Sequence, residues 1–270
     1  MRLWVLGSGS KGNAVLLEAG SARILVDCGF APRALAQRLR QVGIAPESIA
    51  ACVLTHEHGD HVCGAAAAAR RWGWELHATA GTAAGCPGAG EGQIRTFVAG
   101  DVLELPGFTV ATHASPHDAD EPVVLLATAR GSGVRAGIAY DLGHVPDALP
   151  GAFAQLDLLV VESNHDEGML WAGPYPASVR ARIASRTGHL SNRAGADFAR
   201  RCVNRNLAHV VLAHLSENCN DPAVAVGTAQ NALKRTSFKG QVHAAAQRGP
   251  IGPFLPNGAR AAAAAQLSLF

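Results

Sequence analysis

Short apolar runs alternate along this chain with longer amphipathic stretches, and many of the runs end in a histidine or an aspartate. Apolar runs of strand length bounded by turn residues predict buried strands, and apolar positions recurring every three to four residues predict helices. Strands are expected over residues 3–6, 14–18, 23–26, 49–54, 75–78, 94–98, 102–105, 108–112, 123–128, 134–140, 156–161, 209–213 and 241–245. Helices are expected over 32–42, 62–72, 177–184, 191–204 and 223–234. Pro32 suits a first helical turn, and Pro106-Gly107 is a turn pair between two strands. Strands interleaved with flanking helices predict an α/β fold, a four-layer αβ/βα sandwich.

His56, His117, Asp141 and His214 each lie just past an expected strand. With the strands aligned in two stacked sheets, these tips meet at one rim. The densest tip is Thr55-His56-Glu57-His58-Gly59-Asp60-His61, which leaves the apolar run at 49–54. Open α/β sheets place their chemistry on such loops. Imidazole and carboxylate donors suit zinc, manganese or iron, and the absence of cysteine argues against a closed structural zinc site. His56 and His58 can converge on one ion while Asp60 and His61 reach a second. Near the start, Gly7-Ser8-Gly9-Ser10-Lys11-Gly12-Asn13 can cradle a phosphate with backbone N–H groups, or serve as a tight turn; spacing leaves both open.

The 270 residues are 48% hydrophobic and 16% charged, enough for one large core or two small ones. A net charge of +2 does not announce a nucleic-acid binder at the level of the whole chain. Locally the balance differs. Arg180, Arg182, Arg186, Arg193, Arg200, Arg201 and Arg205 share their stretch with a single acid, Asp197, so two helices there can present a basic face to a phosphate backbone. The six cysteines form no CxxC pair and fit reduced thiols in a cytoplasmic protein. The apolar start at 3–6 is too short for a signal peptide, and nothing reaches the length of a membrane span. Beyond Gly249 the composition turns to Pro, Gly and Ala, which predicts a domain over 1–250 and a flexible tail over 251–270.

The pattern His56-x-His58-x-Asp60-His61 after a hydrophobic strand resembles the HxHxDH signature of the metallo-β-lactamase-fold hydrolases. The resemblance implies a dinuclear site. His56, His58 and His117 match the ligands of one metal, Asp60, His61 and His214 those of the other, and Asp141 the bridging carboxylate. Asp27 matches a residue that braces the metal loop. His113 competes with His117, but Ser115-Pro116-His117-Asp118-Ala119 resembles a subfamily pattern. An Asp at the bridge is typical of members that cleave phosphodiesters, whereas β-lactamases often carry Cys.

That narrower pattern is of the YycJ/WalJ type. Ser8-Gly9-Ser10-Lys11-Gly12-Asn13, Glu162-Ser163-Asn164-His165-Asp166, Gly173-Pro174-Tyr175-Pro176, Gly188-His189-Leu190-Ser191-Asn192 and Leu212-Ala213-His214-Leu215-Ser216 resemble it in order, with Cys219 as a departure. Members are regarded as DNA exonucleases acting from the 5′ end. The spacing from Asp141 to His214 leaves no room for the inserted domain of larger RNA-processing relatives. The implied chemistry is phosphodiester hydrolysis with two divalent ions, Zn2+ or Mn2+ with Fe admissible, around a bridging hydroxide. Asp60 and Asp141 would fix the ions and accept a proton, and His165 and His189 would contact the phosphate or protonate the leaving oxygen. Ser8, Ser10, Asn13, Asn164, Ser191, Asn192 and Arg193 would contact substrate. The pentapeptide Gln266-Leu267-Ser268-Leu269-Phe270 resembles the motif that docks on the replication sliding clamp, with Leu269 and Phe270 in an apolar pocket. The competing expectations are a small-molecule hydrolase of the same fold, acting on a cyclic phosphodiester, thioester or lactone, and a metal-sensing or clamp-bound accessory protein with a vestigial site. His77, His144, His209 and His243 lack such context and are expected to be packing or surface residues.

Overall fold

In the first strand Leu3 and Val5 alternate with Trp4 and Leu6, and all four are buried. A strand apolar on both faces must be covered on both. The computed structural model, which describes residues 1–90 and 92–258, provides that cover. Its first half contains β1 (Arg2–Gly7), β2 (Ala14–Ala19), β3 (Ala22–Val26), α1 (Pro32–Gln41), β4 (Ala51–Val53), α2 (Gly59–Val62), α3 (Ala65–Trp72), β5 (Glu75–Thr79), α4 (Ala80–Gly85) and β6 (Ile94–Phe97). The chain continues through β7 (Val102–Leu105), β8 (Phe108–Ala114), β9 (Val123–Ala129), β10 (Arg135–Ala139), α5 (Leu149–Ala152), β11 (Leu158–Glu162), α6 (Glu167–Ala172) and α7 (Ala177–Ile183). It closes with α8 (Asn192–Arg201), β12 (His209–Ala213), α9 (Pro222–Leu233), β13 (Gln241–Ala244) and β14 (Ile251–Phe254).

Two seven-stranded sheets result, ordered β14-β1-β2-β3-β4-β5-β6 and β13-β12-β11-β10-β9-β8-β7. Leu3, Val5, Val15 and Ile24 of the first sheet meet Phe108, Val110, Leu125 and Val160 of the second in the central core. Trp4, Leu16 and Leu25 turn the other way, against Leu35 and Leu39 of α1 and Ala65 and Ala68 of α3. Leu159, Val161 and Leu212 do the same against Phe198 of α8 and Ala225 and Ala229 of α9. Each of the valine, leucine, isoleucine and phenylalanine side chains contributes about 1.5–3 kcal/mol on full burial. Helix, sheet, sheet and helix thus stack in four layers, the αβ/βα sandwich.

Three local differences have physical causes. The helix expected over 62–72 breaks into α2 and α3 around Cys63-Gly64. Gly64 passes so close to Phe30 that a Cβ would sit 1.9 Å from the Phe30 carbonyl oxygen. The short helices α4, α5 and α6 fall in stretches too brief for a periodic pattern. The folded region also runs past 250, because β14 pairs with β1 through Leu3–Phe254 and Val5–Ile251. Pro253 is tolerated there since β14 is an edge strand, where a missing N–H costs no ladder bond. The pentapeptide Gln266–Phe270 lies outside the described residues. Among the described residues no helix is long and apolar enough to cross a membrane.

Candidate metal centre

Backbone bonds clamp the histidine-rich loop from two sides. Asn13 N–H donates to the Asp60 carbonyl (2.8 Å), and Cys28 N–H to the His61 carbonyl (2.7 Å). Asp27 then organises the side chains. One carboxylate oxygen accepts from Thr55 N–H (2.8 Å), and the other from Thr55 Oγ1, from His61 Nδ1 (2.7 Å) and from Tyr140 OH (2.7 Å). With Nδ1 spent on Asp27, His61 turns Nε2 inward. His117 is held likewise, its Nδ1 donating to the Gly188 carbonyl at 3.0 Å. Such outer partners set both tautomer and ring direction of a metal-binding histidine.

The inward atoms form a cradle at the rim where the strand ends converge. His56, His58 and His117 bring one nitrogen each within 4.8 Å of one another, and so do the donors of Asp60, His61 and His214; His56, His61 and Asp141 form a third group of that kind. Asp141 stands between the two sets, 3.0 Å from His61 and 3.4 Å from His214 of one and 3.9 Å from His117 of the other. His113 is outside, on β8, with its ring against Phe153. Asp27, Asp141 and His214 have φ near +60°, +56° and +56°, a left-handed conformation that non-glycine residues seldom adopt. Each follows a strand directly or by two residues, and strain of this kind, about 1–3 kcal/mol a residue, gathers at functional sites.

The donors fit divalent ions. His56 Nε2 and Asp141 Oδ2 are buried with no hydrogen-bond partner, a costly state unless something else binds them. His58 Nδ1 and His117 Nε2 face each other at 3.3 Å, an arrangement that an ion between them satisfies. Burial, with repulsion from neighbouring imidazoles, keeps His56 and His117 neutral and able to ligate.

One buried acid beside the cradle carries no expected role. Glu162, fully buried, accepts Leu142 N–H (2.9 Å) and Leu190 N–H (3.0 Å) on one oxygen and His189 Nδ1 (2.7 Å) on the other. It closes β11 just as Asp141 closes β10, so the strand-end signal was available for it. Burial opposes ionisation of both partners. The pairing prevails, holding Glu162 down to about 2 against its burial through His189, and raising His189 to about 10 through Glu162 and Asp141. In the metal-free protein both carboxylates thus favour the protonated form of His189, whose Nδ1 lies 3.2 Å from Asp141.

The family model of the Metallo-beta-lactamase superfamily matches residues 7–161. The chain belongs to that superfamily. Within it the chain is of the YycJ/WalJ type, being similar to exodeoxyribonuclease YycJ of Bacillus anthracis (30% identical, covering 87% of this chain and 89% of that one). It is also similar to exodeoxyribonuclease WalJ of Streptococcus pneumoniae (29% identical, 87% and 88% covered). Among solved structures its fold matches YhfI of Bacillus subtilis (TM-score 0.68, 17% identity, 93% and 98% covered). The short form of human tRNase Z matches at a TM-score of 0.61, with 19% identity and 94% and 100% covered.

In this superfamily hydrolase most of the polar residues expected to touch substrate have internal duties. Ser8 donates to Asn13 (3.0 Å) and accepts His214 N–H (2.8 Å). Asn13 donates to Asp60 (3.2 Å). Asn164 holds the His214 carbonyl (2.9 Å), and Asn192 is buried between Ser163 and Asn220. The glycine-rich turn is no phosphate cradle, because the Gly9, Lys11, Gly12 and Asn13 amides all have protein acceptors. Ser10 and Arg193 are exposed, and Ser191 caps α8 through Ala194 N–H. The arginine face is also partly engaged, with Arg182 on Asp118, Arg193 on Glu167 and Arg200 on Asp197.

Protons and metal compete for this cradle. Burial alone would lower His61 and His214, but Asp27 and Asp141 raise the first and Asp141 with Asp60 raises the second to about 9. In the metal-free protein that pairing is stabilising below the ordinary histidine value near 6.5 and is lost as pH climbs through about 9. A ligating imidazole must be neutral, so loading near pH 7 is expected to expel protons. Calorimetric Mn2+ titrations in buffers of different ionisation enthalpy should show net proton release and an affinity rising toward pH 9. An affinity flat across that range would mean the ions bind elsewhere.

Proposed function

We propose that this metallo-hydrolase is a deoxyribonuclease that removes nucleotides from DNA ends, starting at the 5′ end. The observation that carries this is His189 set beside Asp141 (3.2 Å) and held by buried Glu162 (2.7 Å), where it can serve as a general acid. A sugar alkoxide is a poor leaving group, and a positioned acid is worth about 10²- to 10⁴-fold there. Support also comes from relatives named exodeoxyribonucleases that match over 87% of the chain and from an aspartate, not a cysteine, at position 141.

His56, His58 and His117 would hold one ion and Asp60, His61 and His214 the other, with Asp141 between. Such ions, when bound, acidify a water and neutralise charge on the phosphoryl oxygens. The protein's own groups do the rest. Asp60, its side chain 21% exposed at the rim, takes the proton lost by the attacking water. His189 gives its proton to the departing sugar oxygen, and Glu162 keeps it charged until then. His165 lies on the same side and faces the phosphate or sugar.

The test supplies Mn2+ or Zn2+ with duplexes labelled at either end, comparing wild type with Asp60→Ala. Early release of the 5′ label alone is the expected result. Activity surviving in the variant would displace the site, and turnover confined to cyclic phosphodiesters, thioesters or lactones would move the protein to the small-molecule class. The pentapeptide Gln266–Phe270 is proposed to tether the enzyme to the sliding clamp. Its deletion should abolish co-purification with the clamp while hydrolysis of naked DNA is unchanged.

A further inference from the structure

Next to His189 and outside the cradle lies a cavity of about 460 Å³, within the roughly 300–1,000 Å³ in which proteins bind small ligands. His165 and His189 line it, with Val145, Leu170 and Trp171 among its apolar walls. Two observations mark it as a ligand site. His165 is only 3% exposed, and its Nδ1 is buried with no hydrogen-bond partner. Trp171 is 55% exposed, alone in this among the Trp, Tyr and Phe of the described residues. Its position is fixed all the same. Arg180 donates to the Trp171 carbonyl at 2.7 Å and lays its guanidinium over the indole, 6.0 Å from the ring centroid.

We infer that this cavity receives the terminal nucleotide of a DNA strand, its base stacked on Trp171 and its sugar beside His165. The inference rests on the nuclease function proposed above. A base fits better than a second phosphate, because the arginine and the acids lining the cavity are already paired, Arg193 with Glu167 and Asp197 with Arg200, which leaves little spare positive charge for a multiply charged anion. Stacking on an aromatic face tolerates any base, as an enzyme that consumes whole strands requires. A base paired with its complement cannot enter, so an unpaired or frayed end is the form bound.

The test has two arms. In the first, tryptophan fluorescence follows titration with 2′-deoxyadenosine 5′-monophosphate or, for comparison, ribose 5-phosphate. Only the nucleotide should quench, and the quench should vanish in Trp171→Phe, which keeps the fold. In the second, kcat/KM is compared for oligonucleotides with an ordinary and an abasic terminal residue. Wild type should lose about tenfold to a hundredfold on the abasic end, mainly through KM. Trp171→Ala should be equally slow on both ends, and Trp171→Phe should restore most of the difference. Equal use of both ends by wild type would overturn the inference, as would discrimination persisting in Trp171→Ala. Quenching by the mononucleotide with no abasic effect would assign the cavity to a free nucleotide and overturn it too. Absence of hydrolysis at any DNA end is a separate outcome, which removes the nuclease function and the strand-end assignment together.

Discussion

Asp141→Asn is expected to lower kcat by about a thousandfold or more, roughly 4 kcal/mol in the barrier. The side chain is 2% exposed and reaches both donor sets, lying 3.0 Å from His61 and 3.4 Å from His214 of one and 3.9 Å from His117 of the other. Burial works against its charge, yet His214 and His61 hold it well below the usual carboxylate range. Asparagine keeps the shape and tolerates a φ of +56°, so the backbone has no reason to move. What disappears is the negative charge that would lie between the two cations. Steady-state rates in saturating Mn2+, metal content after dialysis and a circular dichroism spectrum decide the matter. Activity within tenfold of wild type, with full metal content, would remove Asp141 from the centre.

Glu162→Gln should cost about 10²- to 10⁴-fold in kcat, with a changed pH profile. Two backbone N–H groups point at one carboxylate oxygen, so the glutamine must keep its own oxygen there and turn its NH2 toward His189. His189 can then only accept, and loses its proton. In wild type His189 is raised to about 10, so its charge persists through neutral pH and disappears as pH rises through that value. Cations in the cradle pull the limb of the loaded enzyme lower. The variant should lose its acid from near the ordinary histidine value of about 6.5. Glu162→Ala also strands a buried imidazole and two amides, and should lower stability by about 3–5 kcal/mol. An unchanged basic limb in the glutamine variant would mean that His189 is not the group being titrated.

Strand-end chemistry was legible because it is local. The apolar run before His56, and those before Asp141 and His214, place each side chain at a strand tip without knowledge of the remaining chain. What depended on distant partners was not legible. Ser8, Asn13 and Asn192 are polar residues on turns, and only the approach of Asp60, His214 and Asn220 shows that they brace loops. Glu162 closes an apolar run like the others, but its pairing with His189 spans 27 residues. The Gly-Pro stretch of β14 has the composition of a linker, and β1 alone makes it a strand. Trp171 would pass as a core residue on hydrophobicity, but on the short helix α6 it is Leu170 that turns inward and Trp171 that stays exposed.

The cradle also draws His56, His58, Asp60 and His61 from the first sheet's side, and His117, Asp141 and His214 from the second's. Ions there would act as a latch on one edge of a two-leaved book, the spine being the apolar core. Chelation should thus register in hydrogen–deuterium exchange as an opening confined to that edge. The amides of Thr55, Leu142 and Leu190, each bonded to a carboxylate beneath the rim, would lose protection first. Amides deep in β2 and β9, closed between layers, would keep theirs until the whole molecule unfolds.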